Sequence, residues 1–283
     1  MIRQFKLRNE YSREYNLNVS DTSFLYEPQG LGYEMDYSFM RLGYSWVRNF
    51  MKDKQMEISG TVVFTAQGRQ YQDAADFLKF VRTSSKLTLV YTTNAGEYLR
   101  DVDIVSYEKT EITEGHTLQC PIVMVARGLW YSNNVTKFSI TIDNTGDVLR
   151  YSYKFPSRFQ SVVGGSVSVQ NDGSVQAPFT VIFHGAIVNP SMVLLVDGEE
   201  TARIDIVGEA DAGESIKYSS VDGDLYIYHE DANGVQTNLM AGLDINNANF
   251  FKIPIGESAL QFSAAESITQ PIIISMQKLY RAV

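Results

Sequence analysis

Three histidines stand in the 283 residues, and His184 has the most suggestive surroundings for chemistry. It follows Phe179, Val181 and Phe183 in PFTVIFHGAIVNPSMVLLVDGE, residues 178–199, and Asp197 or Asp205 would be the carboxylate that orients it as a general base. A base needs a nucleophile to activate. No Gly-x-Ser-x-Gly turn accompanies it, and the single cysteine, Cys120, belongs to the other half of the chain. The stretch reads instead as strand, turn, strand: Asn189-Pro190 starts a fresh strand and Asp197-Gly198 ends it. His116 and His229 are isolated in the same way.

Other chemistries fare no better. Asp222-Gly223-Asp224 and the run from Asp143 to Asp147 bring carboxylates close, but neither continues with Ca²⁺-loop spacing or its distal Glu. Both read as turns in which an Asp bonds its own backbone. Gly164-Gly165 precedes SVSVQ, a strand pattern, so no helix N-terminus is there to cradle a phosphate. One cysteine excludes Cys-rich zinc sites and an internal disulfide framework. The residues therefore support no catalytic, metal or cofactor site, and the chain is not expected to be an enzyme. Glycan binding stays open: Tyr151, Tyr153, Tyr226 and Tyr228 could offer sugar platforms, although Trp46 and Trp130 both lie before residue 136.

The elements that would position such residues differ between the two halves. KQMEISGTVVFT, residues 54–65, alternates Met56, Ile58, Gly60, Val62 and Phe64 against polar neighbours, the period of a half-buried strand. The next segment changes period, with Tyr71, Ala74, Ala75, Leu78 and Val81 at helical steps, which predicts one helix over about 71–83. Residues 87–91, 98–112 and 116–126 read as further strands, an α+β arrangement. Ahead of them, residues 20–53 interleave Tyr37, Phe39, Tyr44, Trp46 and Phe50 with Gly30, Gly32 and Gly43. That composition suits extended arms or loops lying on a neighbouring copy of the same protein.

From Thr136 onward, short strand-like runs alternate with Asp-Gly and Asn-Gly turns, the pattern of an all-β sandwich. The expected domains are residues 1–135 and 136–283. Their charges diverge: the first carries 15 cations and 16 anions, the second 9 and 17. An acidic second half has no counterion-releasing patch, so specific nucleic-acid binding is not expected. No apolar run reaches membrane length, and MIRQFKLRNEYSREYN lacks a signal-peptide core, so neither membrane insertion nor processing is expected.

The order of these features resembles a known family. Gly60-Thr61-Val62-Val63-Phe64, one helix, LTLVY, a Tyr98-Leu99-Arg100-Asp101-Val102 strand and Leu129-Trp130-Tyr131 are similar to the N-terminal domain of the distal tail proteins of long-tailed phages infecting Gram-positive bacteria. Val169-Gln170-Asn171-Asp172-Gly173, Ala177-Pro178-Phe179-Thr180, His184-Gly185, Asn189-Pro190 and the run from Phe250 through Pro254 to Gly256 resemble that family's galectin-like C-terminal domain. The resemblance implies a structural protein at the virion tail tip, made in the host cytoplasm. It implies a homo-oligomeric ring, typically a hexamer, through which DNA passes. The tail tube protein would lie on one side and a tail-tip or tail-associated lysin protein on the other, with receptor-binding proteins as further partners in some phages. The alternative is a cell-surface glycan-binding module acting through residues 136–283.

Overall fold

The computed structural model describes residues 3–18, 22–112, 116–138, 163–243, 250–265, 268 and 270–283. Among them the chain is mainly β, with one α-helix, and it divides into two compact units. One unit is Met1–Ser132 with Tyr280–Val283, the other Asn133–Leu279.

In the first unit seven strands form an antiparallel array. In spatial order they are Glu14–Asn16, Gln4–Asn9, Leu87–Thr93, Gly96–Tyr107, Leu118–Ala126, Glu57–Phe64 and Ser23–Gln29. The array's two edges meet: Leu25 N–H donates to Leu17 O at 3.2 Å, and Leu17 N–H to Phe5 O at 2.9 Å. Bending a sheet back on itself removes exposed edges and encloses a core. Ile58, Val62, Leu89, Val102, Leu118, Ile122 and Trp130 fill it, each at most 1% exposed. The strand Leu118–Ala126 buries every second residue.

The helix, Gln70–Arg82, packs against this core through Phe77, whose ring lies 5.1 Å from Tyr15, 5.5 Å from Tyr107 and 6.2 Å from Phe64. Its extent matches the sequence period, but its phase does not. Gln70, Asp73, Ala74 and Phe77 are buried, while Tyr71 is exposed and donates its hydroxyl hydrogen to Glu111. Gln70 turns inward because it finds a partner there. Gln70 Nε2 donates to the carbonyl of His116 at 2.9 Å.

The second unit is a two-layer sandwich. One sheet runs Gln236–Asn238, Asp224–Glu230, Ser215–Val221, Phe179–His184, Ile272–Tyr280. The other runs Val163–Asn171, Gly256–Ala264, Ser191–Val196, Glu199–Asp205. Phe179, Val181, Phe183 and Tyr218 from the first sheet share one core with Met192, Leu194, Leu260 and Phe262 from the second. Phe183 and Phe262 meet edge to face at 5.8 Å. TNLMA yields only the short strand Gln236–Asn238 and a single 3₁₀ turn, Met240–Gly242. FFKIPI contributes a bridge, Ala177 to Ile253, rather than a strand. KFSITI beyond Phe138, VLRYSYKF and the Asp143–Asp147 turn lie outside the described residues.

Candidate functional site

Of residues 20–53, read as extended arms or loops, Ser23–Gln29 joins the first-unit array and Met35–Asp53 folds into a hairpin of its own. Met35–Leu42 pairs with Ser45–Asp53 and with no other strand. At its root Glu34 and Lys54 close the ladder, Lys54 N–H donating to Glu34 O at 3.0 Å and its ammonium lying 2.6 Å from Glu34 Oε2. At its tip Gly43 has φ +63°, a positive value at the first central position of a two-residue turn, which a hairpin of the II′ kind requires. Gly30 sits where the chain leaves Ser23–Gln29 toward the hairpin. Its φ is +79° and a Cβ there would fall 1.9 Å from Glu57 O, so only glycine fits.

Register decides which side chains face together. The pairs Tyr37 with Met51, Phe39 with Arg48 and Arg41 with Trp46 place one set on one face. Ser38 with Phe50, Met40 with Val47 and Leu42 with Ser45 form the other. A bulge between Ser38 and Phe39 shifts the register, and Asn49 is the extra residue. Tyr37 and Phe39 stack at 6.0 Å, and the Lys52 ammonium lies 5.8 Å from the Phe50 ring centre. The five aromatic residues singled out by sequence therefore come together on one element but not on one face. Tyr37, Phe39 and Trp46 share a side, Phe50 takes the other, and Tyr44 stands at the turn.

All of Ser45–Asp53 is exposed, and so is most of Met35–Leu42. Trp46 is 67% exposed, Leu42 65% and Tyr44 fully so. Met40, Leu42, Val47 and Met51 belong to the same surface, yet no aromatic signal marks them in the sequence. Arg41 and Arg48 add cations to the Trp46 side, where Arg41 Nε donates to Gly43 O at 2.9 Å. Such an element offers apolar area and a few hydrogen bonds for association and no group arranged for bond-making.

The residues weighed for chemistry stay apart. His184 ends the strand Phe179–His184 opposite Ser215, and among the described residues no hydrogen bond or ion pair joins it to Asp197 or Asp205. Asp197 sits in the turn to Glu199–Asp205 with φ +53°, and Asp205 meets Arg203 at 3.4 Å. His229 Nε2 lies 2.8 Å from Glu214 Oε2. Cys120 is buried in the first core. Asp222 holds the Lys252 ammonium at 2.6 Å rather than its own backbone, whereas the aspartate turn that does close on itself is at Asp231, whose Oδ1 accepts from Asn233 and Val235 N–H at 2.8 Å. Gly165 lies within the strand Val163–Asn171. Among the described residues no three His, Cys, Asp or Glu side chains gather as metal ligands. Among the described residues no helix is long and apolar enough to cross a membrane.

Comparison with known proteins gives this hairpin a setting. A search of curated proteins finds no match. Among solved structures, a chain of the phage P2 baseplate in its activated conformation with calcium aligns with TM-score 0.65 at 16% identity, covering 100% of both chains. The same baseplate with strontium gives 0.64 at 15%. The SPP1 Dit protein, described as a paradigm of hub adsorption apparatus in phages infecting Gram-positive bacteria, gives 0.63 at 12%, covering 97% of this chain and 98% of that one. At these identities the alignments establish the fold. The family described as distal tail protein, N-terminal domain, matches residues 4–126, which span the whole first-unit array and the hairpin.

Proposed function

We propose that this chain is a distal tail protein, the hub of a phage baseplate at the virion tail tip, and that it works as a homo-oligomeric ring, a hexamer, with DNA passing through the centre. The reading rests on one observation above all. The hairpin Met35–Asp53 presents large apolar side chains on both faces, and a soluble chain seldom leaves that much contiguous apolar surface to water. Tyr37, Phe39, Tyr44, Trp46 and Phe50, with their aliphatic neighbours, are then the interface to the next copy. Residues 1–135 form the ring, and residues 136–283 are a galectin-like sandwich that engages receptor-binding proteins. The tail tube protein and a tail-tip or tail-associated lysin protein lie along the axis. A first domain near electrical neutrality lets DNA slide without holding it. The role is structural and assigns the chain no reaction.

Light scattering on the purified chain tests this. Six copies of the 31.9 kDa chain give a peak of about 191 kDa, and His184→Ala leaves that mass unchanged. A monomer at every concentration, both alone and mixed with its tail tube protein, sinks the ring. Glycan binding has a single observation of its own: Tyr226 and Tyr228 lie 4.8 Å apart on the strand face opposite the buried Ile227. A glycan array probed with the full chain decides it, because loss of a specific signal in Tyr228→Ala is the outcome this second reading requires.

A further inference from the structure

Arg100 is a buried cation with no anion to balance it. It lies on the strand Gly96–Tyr107 directly across from the core residue Leu89, in the inward row with Val102. The residue is 2% exposed. Nε donates to Gly128 O at 2.9 Å, and the guanidinium lies 5.3 Å from the Trp130 ring centre. Nη1 has no hydrogen-bond partner, and among the described residues no carboxylate lies within ion-pair distance. Burial brings its pKa down to about 10, which still leaves it charged at neutral pH. A buried charge is stable only when paired and hydrogen-bonded, so this arrangement is incomplete.

The guanidinium borders a cavity of about 310 Å³ in the first unit, lined also by Asp53, Lys54, Met56 and Arg127. The other charges around it are already engaged. Asp53 accepts from Arg281 Nε at 2.8 Å, Lys54 pairs with Glu34, and Arg127 makes a bidentate pair with Asp103. The lining thus carries one unspent positive charge, on the side chain whose planar fork matches a carboxylate through two parallel hydrogen bonds. The volume admits the end of an acidic side chain. We propose that this cavity is a carboxylate-binding site in which Arg100 supplies the guanidinium, the carboxylate coming from an acidic side chain of a second copy or from a free small carboxylate.

The probe is N-acetylglutamate, titrated into the full chain at constant ionic strength while tryptophan fluorescence is followed, with neutral N-acetylglutamine as its control. Trp130 reports because it lies against Arg100. The expected result is a saturable change with the glutamate probe at an affinity at least about tenfold above that of the glutamine probe. Arg100→Lys, which keeps the charge and loses the fork, weakens the response about tenfold, and Arg100→Met abolishes it. Near-ultraviolet dichroism confirms that each variant is folded, and should Arg100→Met fail to fold, Arg100→Lys carries the test alone. Equal responses to the two probes, or a wild-type response from Arg100→Lys, would mean that Arg100 is held by its carbonyl, ring and water contacts only, and would overturn the site. Sedimentation separates the two sources: release of smaller species by the probe identifies a second copy's side chain, and an unchanged mass identifies a free carboxylate.

Discussion

The carboxylate of Glu10 accepts two backbone hydrogen bonds, from Ser85 N–H at 3.0 Å and Lys86 N–H at 3.3 Å, just past the helix end. The Ser85 amide is the largest cause of a pKa lowered from 4.5 to about 2. A depressed carboxylate pKa stabilises the fold above the unfolded value and loses that contribution as pH falls from about 4.5 toward 2. Glu10→Gln should therefore lower the melting temperature at pH 7 and make little difference at pH 2. Thermal melts of both proteins across that range check the sign, and an equal deficit at both pH values would refute it. Residue by residue, His184 was legible as a strand end, where it pairs with Ser215. Arg100 was hidden within a strand motif, because a charge inside an apolar alternation does not say whether it points inward. Only the register with Leu89 shows that.

At the scale of elements, period-2 patterning succeeds where one strand face is buried and the other wet. Phe179–His184 is a case in which the alternation read at Phe179, Val181 and Phe183 coincides with that of burial. The hairpin escapes the rule because both of its faces are apolar, so Tyr37 and Phe39 on one side are offset by Met40 and Leu42 on the other and no alternation emerges. It reads as an extended arm or loop although it is a hairpin ladder with one bulge. The helix shows the converse error, since Gln70 buries through a hydrogen bond to the distant His116 carbonyl that no local period records. Because the hairpin contributes nothing to either core, its apolar side chains should be separable from folding. The double substitution Phe39→Ser with Trp46→Ser should shift melting by no more than about 3 °C, as exposed positions do. It should weaken self-association about tenfold or more if these rings are interface anchors. Light scattering over a dilution series reads the second effect, and unchanged association would remove this face of the hairpin from the interface.

At the scale of the whole molecule, the chain's charge and its path divide it differently. The acidic excess falls almost wholly after residue 135, and that half builds the sandwich. Yet the last described residues return to the first unit: Tyr280 meets Tyr98 edge to face at 5.3 Å, Val283 packs against the first core, and Arg281 engages Asp53 at the foot of the hairpin. Composition cannot reveal such a return, since four residues alter no average and the partners of Tyr280 and Arg281 lie 182 and 228 positions earlier. It has a local energetic consequence. Tyr280→Ala removes a partly buried ring and its aromatic contact, which should cost about 1–3 kcal/mol. The loss belongs to the first unit, so hydrogen exchange should quicken in peptides from Gly96–Tyr107 while the strand Phe179–His184 keeps its protection. Quickened exchange in both strands would mean that the two units unfold together, and no change in either would mean that the Tyr280 ring stabilises neither.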